Sequence, residues 1–360
     1  MLLSTLAIAS FIIARLCIAS APRLGLVDHP DTRKRHVGAI PLSGGIGIFL
    51  TILFGTLFLG IAPYTLPMLV LAFLVFLVGV VDDFRHIHAG ARLLIQFGAG
   101  ALLASYGGIA IYNVGNLLGF GDIHLLMLSV PLSALAVAGL SNAYNMIDGI
   151  DGLAASTIAL PLLVLFILAT LAGHPHASFL LLMLVPLGVF LVFNLGPDNA
   201  LLPKMFLGDG GSITLGFLVT ASLVFFSQGE QALIEPVTAL WLVAVPLMDM
   251  LATMLRRKRA GRPLMEADRS HLHHALLDRG MGPRRVLLVM LIHAVAAAIT
   301  GLLLEATPAW FSLFCYFLLF FGHCVFVLRS ERLAKAALTA SKAAANDALH
   351  LDSCSEKAAS

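Results

Sequence analysis

Thr65-Leu-Pro-Met-Leu-Val-Leu-Ala-Phe-Leu-Val-Phe-Leu-Val-Gly-Val-Val-Asp82-Asp83-Phe-Arg85 is an apolar run that ends on two adjacent carboxylates. A bilayer core is crossed by about 20 mostly apolar residues in a helix, so this run is long enough to span. Its ending is unusual, because neighbouring carboxylates repel and call for a cation, a proton or a base nearby. Reading outward from each polar gap gives runs beginning near Leu2, Gly44, Thr65, Leu93, Leu125, Leu153, Ser178, Ile213, Pro236, Val286 and Ala309. The chain is 59% hydrophobic and only 12% charged, with a mean hydropathy of +0.96. Soluble domains carry roughly 25% charged residues. Continuous Leu, Val, Ala and Phe runs also exclude a transmembrane barrel, whose strands alternate. The expected fold is an all-α polytopic membrane protein with about 11 transmembrane helices, forming one domain over residues 1–332. A partly disordered tail is expected over residues 333–360, where the sequence turns to Ala, Ser and Lys.

The Lys and Arg residues lie in or close to alternate gaps, at 28–35, 82–92, 142–151, 194–209 and 256–285, or in the tail. The intervening gaps have none and hold Asp122, Glu230, Glu235 and Glu305. Basic loops stay cytoplasmic, which predicts a multi-pass protein with its N-terminus outside, on the periplasmic side, and its C-terminus in the cytoplasm. The first apolar run lacks a basic n-region and a convincing cleavage site, and is read as a retained helix. Basic residues strung along a membrane face without interleaved aromatics exclude a nucleic-acid partner. Cys17, Cys315, Cys324 and Cys354 form no CxxC pair and imply neither a disulfide frame nor a zinc site.

The acids work against the basic bias of the same gaps. In Asn142-Ala-Tyr-Asn145-Met-Ile-Asp148-Gly149-Ile-Asp151-Gly152, four polar side chains recur every third residue. Consecutive pairs are neighbours on a helix, and the glycines predict its end near Asp148, with Asp151 turning back toward the same cavity. Phe206-Leu-Gly208-Asp209-Gly210-Gly211-Ser212 opens the eighth run. A helix N-terminus offers free N–H donors to phosphate, whereas Asp209 repels phosphate unless a metal bridges them, as Mg²⁺ does. The ninth gap carries Arg256-Arg-Lys-Arg259, then Asp268-Arg269-Ser-His271-Leu-His273-His274. Arg256 to Arg259 read as topology determinants at anionic lipid. Arg269 and the histidines suit a diphosphate, and the histidines lack the Cys or i, i+4 His partner of a zinc site. Arg33-Lys34-Arg35 beside Gly44-Gly45 fits topology and phosphate contact equally. A transporter is disfavoured, since its ionisable groups belong at the midplane and these gather at one face. Pro246 is expected to kink the ninth helix near Asp249.

Taken together, these motifs resemble the polyprenyl-phosphate N-acetylhexosamine-1-phosphate transferases. The likeness runs from Leu26 to Gly282 and is nearest the WecA-type branch, through Gly25-Leu-Val-Asp28, Arg33-Lys-Arg-His36, Val237-Thr-Ala-Leu-Trp241, Pro246-Leu-Met-Asp249 and the histidine motif. The resemblance implies transfer of GlcNAc-1-phosphate from UDP-GlcNAc to undecaprenyl phosphate, priming O-antigen or a related surface glycan. MraY- and TagO-type transfers are the alternatives. It implies that Asn145 and Asp209 hold Mg²⁺, with Mn²⁺ the alternative, and that Phe206 stacks on uracil with Asp151 at its edge. By the same likeness Arg92 contacts the diphosphate, as Lys34 and Asp148 would within their motifs. Arg269, His271, His273 and His274 belong to the sugar-nucleotide loop, and Asp82 and Asp83 are the catalytic acidic pair near the lipid phosphate. Whether either acts as base or as positioning group is left open, as is homo-oligomerisation. His86 stands where the family often has a third Asp.

Overall fold

A computed structural model describes residues 2–30, 38–230, 232–263 and 271–329. Lys34, Arg269, Cys354 and the tail from residue 330 lie outside the described residues. The described chain is helical: α1 (Leu2–Leu24), α2 (Gly44–Phe58), α3 (Leu66–Arg85), α4 (Ala89–Tyr106), α5 (Ser129–Ile147), α6 (Leu153–Leu171), α7 (Ala177–Leu195), α8 (Asp209–Ser227), α9 (Pro236–Leu242), α10 (Ala244–Arg259), α11 (Leu272–Leu277), α12 (Pro283–Leu303) and α13 (Ala309–Arg329). A two-residue antiparallel pair, β1 (Val27–Asp28) with β2 (Ile40–Pro41), joins α1 to α2.

Helix stands at each of the eleven expected places. Eight helices are long and apolar enough to cross a membrane, or nine if α9 and α10 are one broken span. The protein is therefore a multi-pass membrane protein, with eight or nine spans supported by length and composition. α2 has 15 residues, about 22 Å of helix against a core of about 30 Å. α4 carries Arg92 and Gln96 among its apolar residues.

The break between α9 and α10 is a bend of 79°. It falls at Val243, three residues before Pro246. A proline ring clashes with the carbonyl four residues back, here Leu242, and that is where α9 stops. The expected kink is present, but at Val243, nearly two turns before Asp249 at about 3.6 residues per turn.

α8 is the axis of the bundle: 94% of its spanning window is buried, against 17% for α1. Its sequence, DGGSITLGFLVTASLVFFS, explains why. Lipid offers little hydrophobic drive between helices, so close packing relies on small residues that let backbones approach. A Cβ on Gly216 of α8 would sit 2.6 Å from the Cα of Ser141 on α5, and one on Gly79 of α3 would sit 2.5 Å from the Cα of Gly210. α3 and α5 therefore cross α8 backbone to backbone. The Gly79 crossing lies one turn before Asp83, which brings the acidic end of α3 to the first turn of α8.

A Gly79→Val variant should lose thermal stability in detergent by about 1–3 kcal/mol through overpacking. An unchanged unfolding midpoint would show that α3 and α8 do not meet there.

Candidate active site

Four helix ends converge at one end of the bundle: the C-termini of α3 and α5 and the N-termini of α4 and α8. Each stops or starts for a local reason. α3 closes with His86 in the left-handed conformation (φ 48°), its N–H donating to the Asp82 carbonyl at 3.0 Å. α4 begins four residues before the expected Leu93, with His88 Nδ1 accepting from the Gly90 amide at 3.2 Å. α5 ends with Asp148 at its C-cap, as the glycines after it predicted. α8 opens on Gly208, which has φ +75° and no capping side chain of its own. A Cβ at Gly208 would also lie 2.8 Å from Asp83 Oδ2, so only glycine fits.

The missing cap comes from another helix. Asp83 Oδ1 accepts from the Asp209 amide at 2.8 Å and Oδ2 from the Gly210 amide at 3.0 Å. A carboxylate across the first free amides of a helix is favoured by both hydrogen bonding and the dipole. Asp209, held at that point, accepts from Asn145 Nδ2 at 2.6 Å through Oδ1 and from Arg92 Nη1 at 3.2 Å through Oδ2. Asn145 also donates to Ser212 Oγ at 3.0 Å. Arg92 is clamped more tightly by Asp82, which is 2% exposed and also accepts from the Ile87 amide at 2.5 Å. Asp82, Asp83, Arg92, Asn145 and Asp209, singled out by sequence, thus form one connected cluster.

Asp148 borders it. The surrounding protein, and then the carboxylates of Asp209, Asp83 and Asp151, push its pKa above the ordinary carboxylate range. Its side chain is open at the surface, so the like charges are the firmer cause. Asp151 pairs with Lys204 Nζ at 2.5 Å, and that ammonium lies 5.7 Å from the centre of the Phe206 ring. The Phe206 segment is pinned by main-chain bonds: its carbonyl accepts from the Gly44 amide at 2.9 Å, and Leu207 O from the Gly45 amide at 2.8 Å. Asn194 ties the turn between α5 and α6 to this segment, accepting from Gly152 N at 2.6 Å and donating to Met205 O at 2.9 Å.

The histidine motif is placed differently. His271 Nδ1 lies 2.8 Å from Asp249 Oδ2, and the His273 ring fills the space beside Gly149, at the turn that carries Asp148. His273 and His274 have ring centres 4.1 Å apart. Asn142, although in the same motif as Asn145, bonds Gln96 of α4 at 2.5 Å and the Ala138 carbonyl at 2.7 Å, away from Asp209. Lys204, Asn194 and Gln96 were not singled out by sequence. Lys204 alone had a visible signal, as a cation two residues before Phe206 in an acid-bearing gap.

The donor set bears on metal binding. Among the described residues, no group of three or more His, Cys, Asp or Glu side chains converges on one point as a metal cage. Asp209, with the Asn145 side-chain amide beside it, supplies one or two oxygens. That fits Mg²⁺, which takes few protein ligands and completes its shell from phosphate and water.

The sequence profile of glycosyl transferase family 4 matches residues 65–227. The undecaprenyl-phosphate alpha-N-acetylglucosaminyl 1-phosphate transferase of Escherichia coli K12 is 34% identical over 315 residues, 85% of each chain. The enzyme of the same name from Yersinia pestis is 33% identical over 323 residues, covering 88% of this chain and 87% of its own. A probable undecaprenyl-phosphate N-acetylglucosaminyl 1-phosphate transferase of Bacillus subtilis is 31% identical over 322 residues, with the same two coverages.

Replacing Arg92 with Gln should strand the buried Asp82 and cost about 3 kcal/mol of stability. Thermal unfolding in detergent and chelator reads this out; a midpoint matching the parent would mean the Asp82 pair does not hold α4 to α3.

Proposed function

This chain belongs to glycosyl transferase family 4, and from that membership and the site we propose that it transfers GlcNAc-1-phosphate from UDP-GlcNAc to undecaprenyl phosphate. The observation that carries the reading is the acid–amide–guanidinium cluster at the N-terminal end of the buried helix α8. The similarity to named transferases along more than four fifths of the chain supports the same reaction.

In the proposed reaction an oxygen of the lipid phosphate attacks the sugar-bearing phosphorus of the donor. A new diphosphate bond forms, the bond to UMP breaks, and the electron pair leaves on the UMP oxygen. The acceptor phosphate is already anionic, so catalysis is a matter of approach and charge. Asp209 and Asn145 are the residues to hold Mg²⁺, which when bound would neutralise the meeting phosphates. Arg92 adds fixed positive charge, oriented by Asp82. Asp83 secures the first turn of α8 and with it Asp209, so both members of the acidic pair act by positioning. Phe206 offers a flat ring for the uracil, with Asp151 and Lys204 at its edge, and Asp148, His271, His273 and His274 border the donor side. Lys34 and Arg269 remain proposed phosphate contacts by resemblance alone.

The lipid tail requires apolar surface beside the acids. Val81 and Phe84, 45% and 47% exposed, present such surface at the end of α3, bordering an open depression with Arg85. The distribution of basic gaps supports the reading that this end faces the cytoplasm, at a bacterial inner membrane. The product would prime a lipid-linked surface glycan such as O-antigen.

Purified protein supplied with undecaprenyl phosphate and a panel of UDP-sugars should release UMP only with UDP-GlcNAc and a divalent cation; metal-independent release would defeat the metal assignment. Asp209→Asn and Asn145→Ala should each lose at least about a hundred-fold in turnover while still inserting in membranes. Phe206→Ala should raise the KM for the UDP-sugar and spare that for the lipid. Equal changes in the two would argue against stacking.

A further inference from the structure

Asp249 lies outside the acidic cluster, yet it is 1% exposed in the middle of α10. A buried carboxylate in a membrane helix is costly and demands partners. Its partners come from the histidine segment: Oδ2 faces His271 Nδ1 at 2.8 Å, and Oδ1 accepts from the Leu272 amide at 2.7 Å. Thr253, one turn along α10, lies 3.4 Å from the same His271 nitrogen. His323 of α13 approaches from another side, its Nε2 4.0 Å from Oδ1. Both oxygens are thus committed to fixing one imidazole and the backbone after it.

The effect is relayed toward the site. The rings of His271 and His273 are stacked, 5.7 Å apart and 7° from parallel. The fully buried His273 ring presses against Gly149, between Asp148 and Asp151. α10 itself packs against α5, the helix carrying Asn145. We propose that Asp249 is a positioning residue for the nucleotide-sugar donor, orienting His271 and seating the histidine segment against the turn between α5 and α6. This rests on the donor-side reading of that segment above. A carboxylate at Nδ1 selects the ring tautomer protonated there and leaves Nε2 as an acceptor. Asp249 touches no reacting atom, and acts through His271.

Asp249→Asn is the informative variant. Asparagine keeps the shape and the acceptor for Leu272, but it offers an N–H to the imidazole or no fixed partner, which reverses or frees the tautomer. The expected result is a rise of about ten-fold in the KM for UDP-GlcNAc. The KM for undecaprenyl phosphate and the thermal midpoint should stay near those of the parent. His271→Ala should raise the same KM, and the double variant should be no worse than His271→Ala alone. A merely structural role would lower the active fraction and the midpoint and leave the KM alone; that outcome, or additive effects in the double variant, overturns the proposal. Parent protein that turns over no UDP-sugar would remove the donor reading and this inference with it. An active parent with a parent-like Asp249→Asn would overturn the inference only.

Discussion

Both oxygens of Asp83 are spent on the first two amides of α8, and the rest of the site depends on that pair of bonds. The first amides of a helix have no partner within it, and they must find an acceptor or the end is destabilised. Here the acceptor sits on α3, delivered by the close crossing of Gly79 and Gly210. Helix packing and capping therefore become one constraint. If α3 rotated by a residue, Asp83 would leave the amides, and Asp209 would no longer be aimed at Asn145 and Arg92.

The same constraint explains the charge balance. Asp82, Asp83 and Asp209 converge while Arg92 is the cation that both Asp82 and Asp209 reach. The protein lessens the repulsion with amide donors, an asparagine and one guanidinium, and leaves net negative charge at the mouth. That balance fits the proposed Mg²⁺ and phosphate roles of the site. The segment proposed to hold the uracil is organised separately, with Lys204 answering Asp151 beside Phe206. Two neutral asparagines, Asn194 and Asn145, tie the two halves to the helices that carry them.

Much of this was legible in the chain. Long apolar runs announce helices because their period and length leave few alternatives, and helix stands at every expected start. The acids were legible because a carboxylate at a membrane boundary has no bland explanation as strong as function. Lys204 and Asn194 were missed because their partners are 53 and 42 residues away in sequence. Asn142 and Asn145 look equivalent in the motif, but three residues turn a helix by about 300°, and one meets α4 while the other meets α8. Eight or nine of the eleven expected helices have the length and hydropathy to cross a membrane; α2 is short, and α4 carries a cation and an amide.

The sequence by itself determined the membrane class, the helices and the set of polar residues to be explained, since each follows from local composition and spacing. Tertiary structure alone decided which of those residues meet. It made Asp83 a cap and Asp82 a clamp on Arg92, and it gave His271 to Asp249. Those assignments depend on where two backbones cross, and crossing is set by small residues on different helices whose pairing no local stretch encodes.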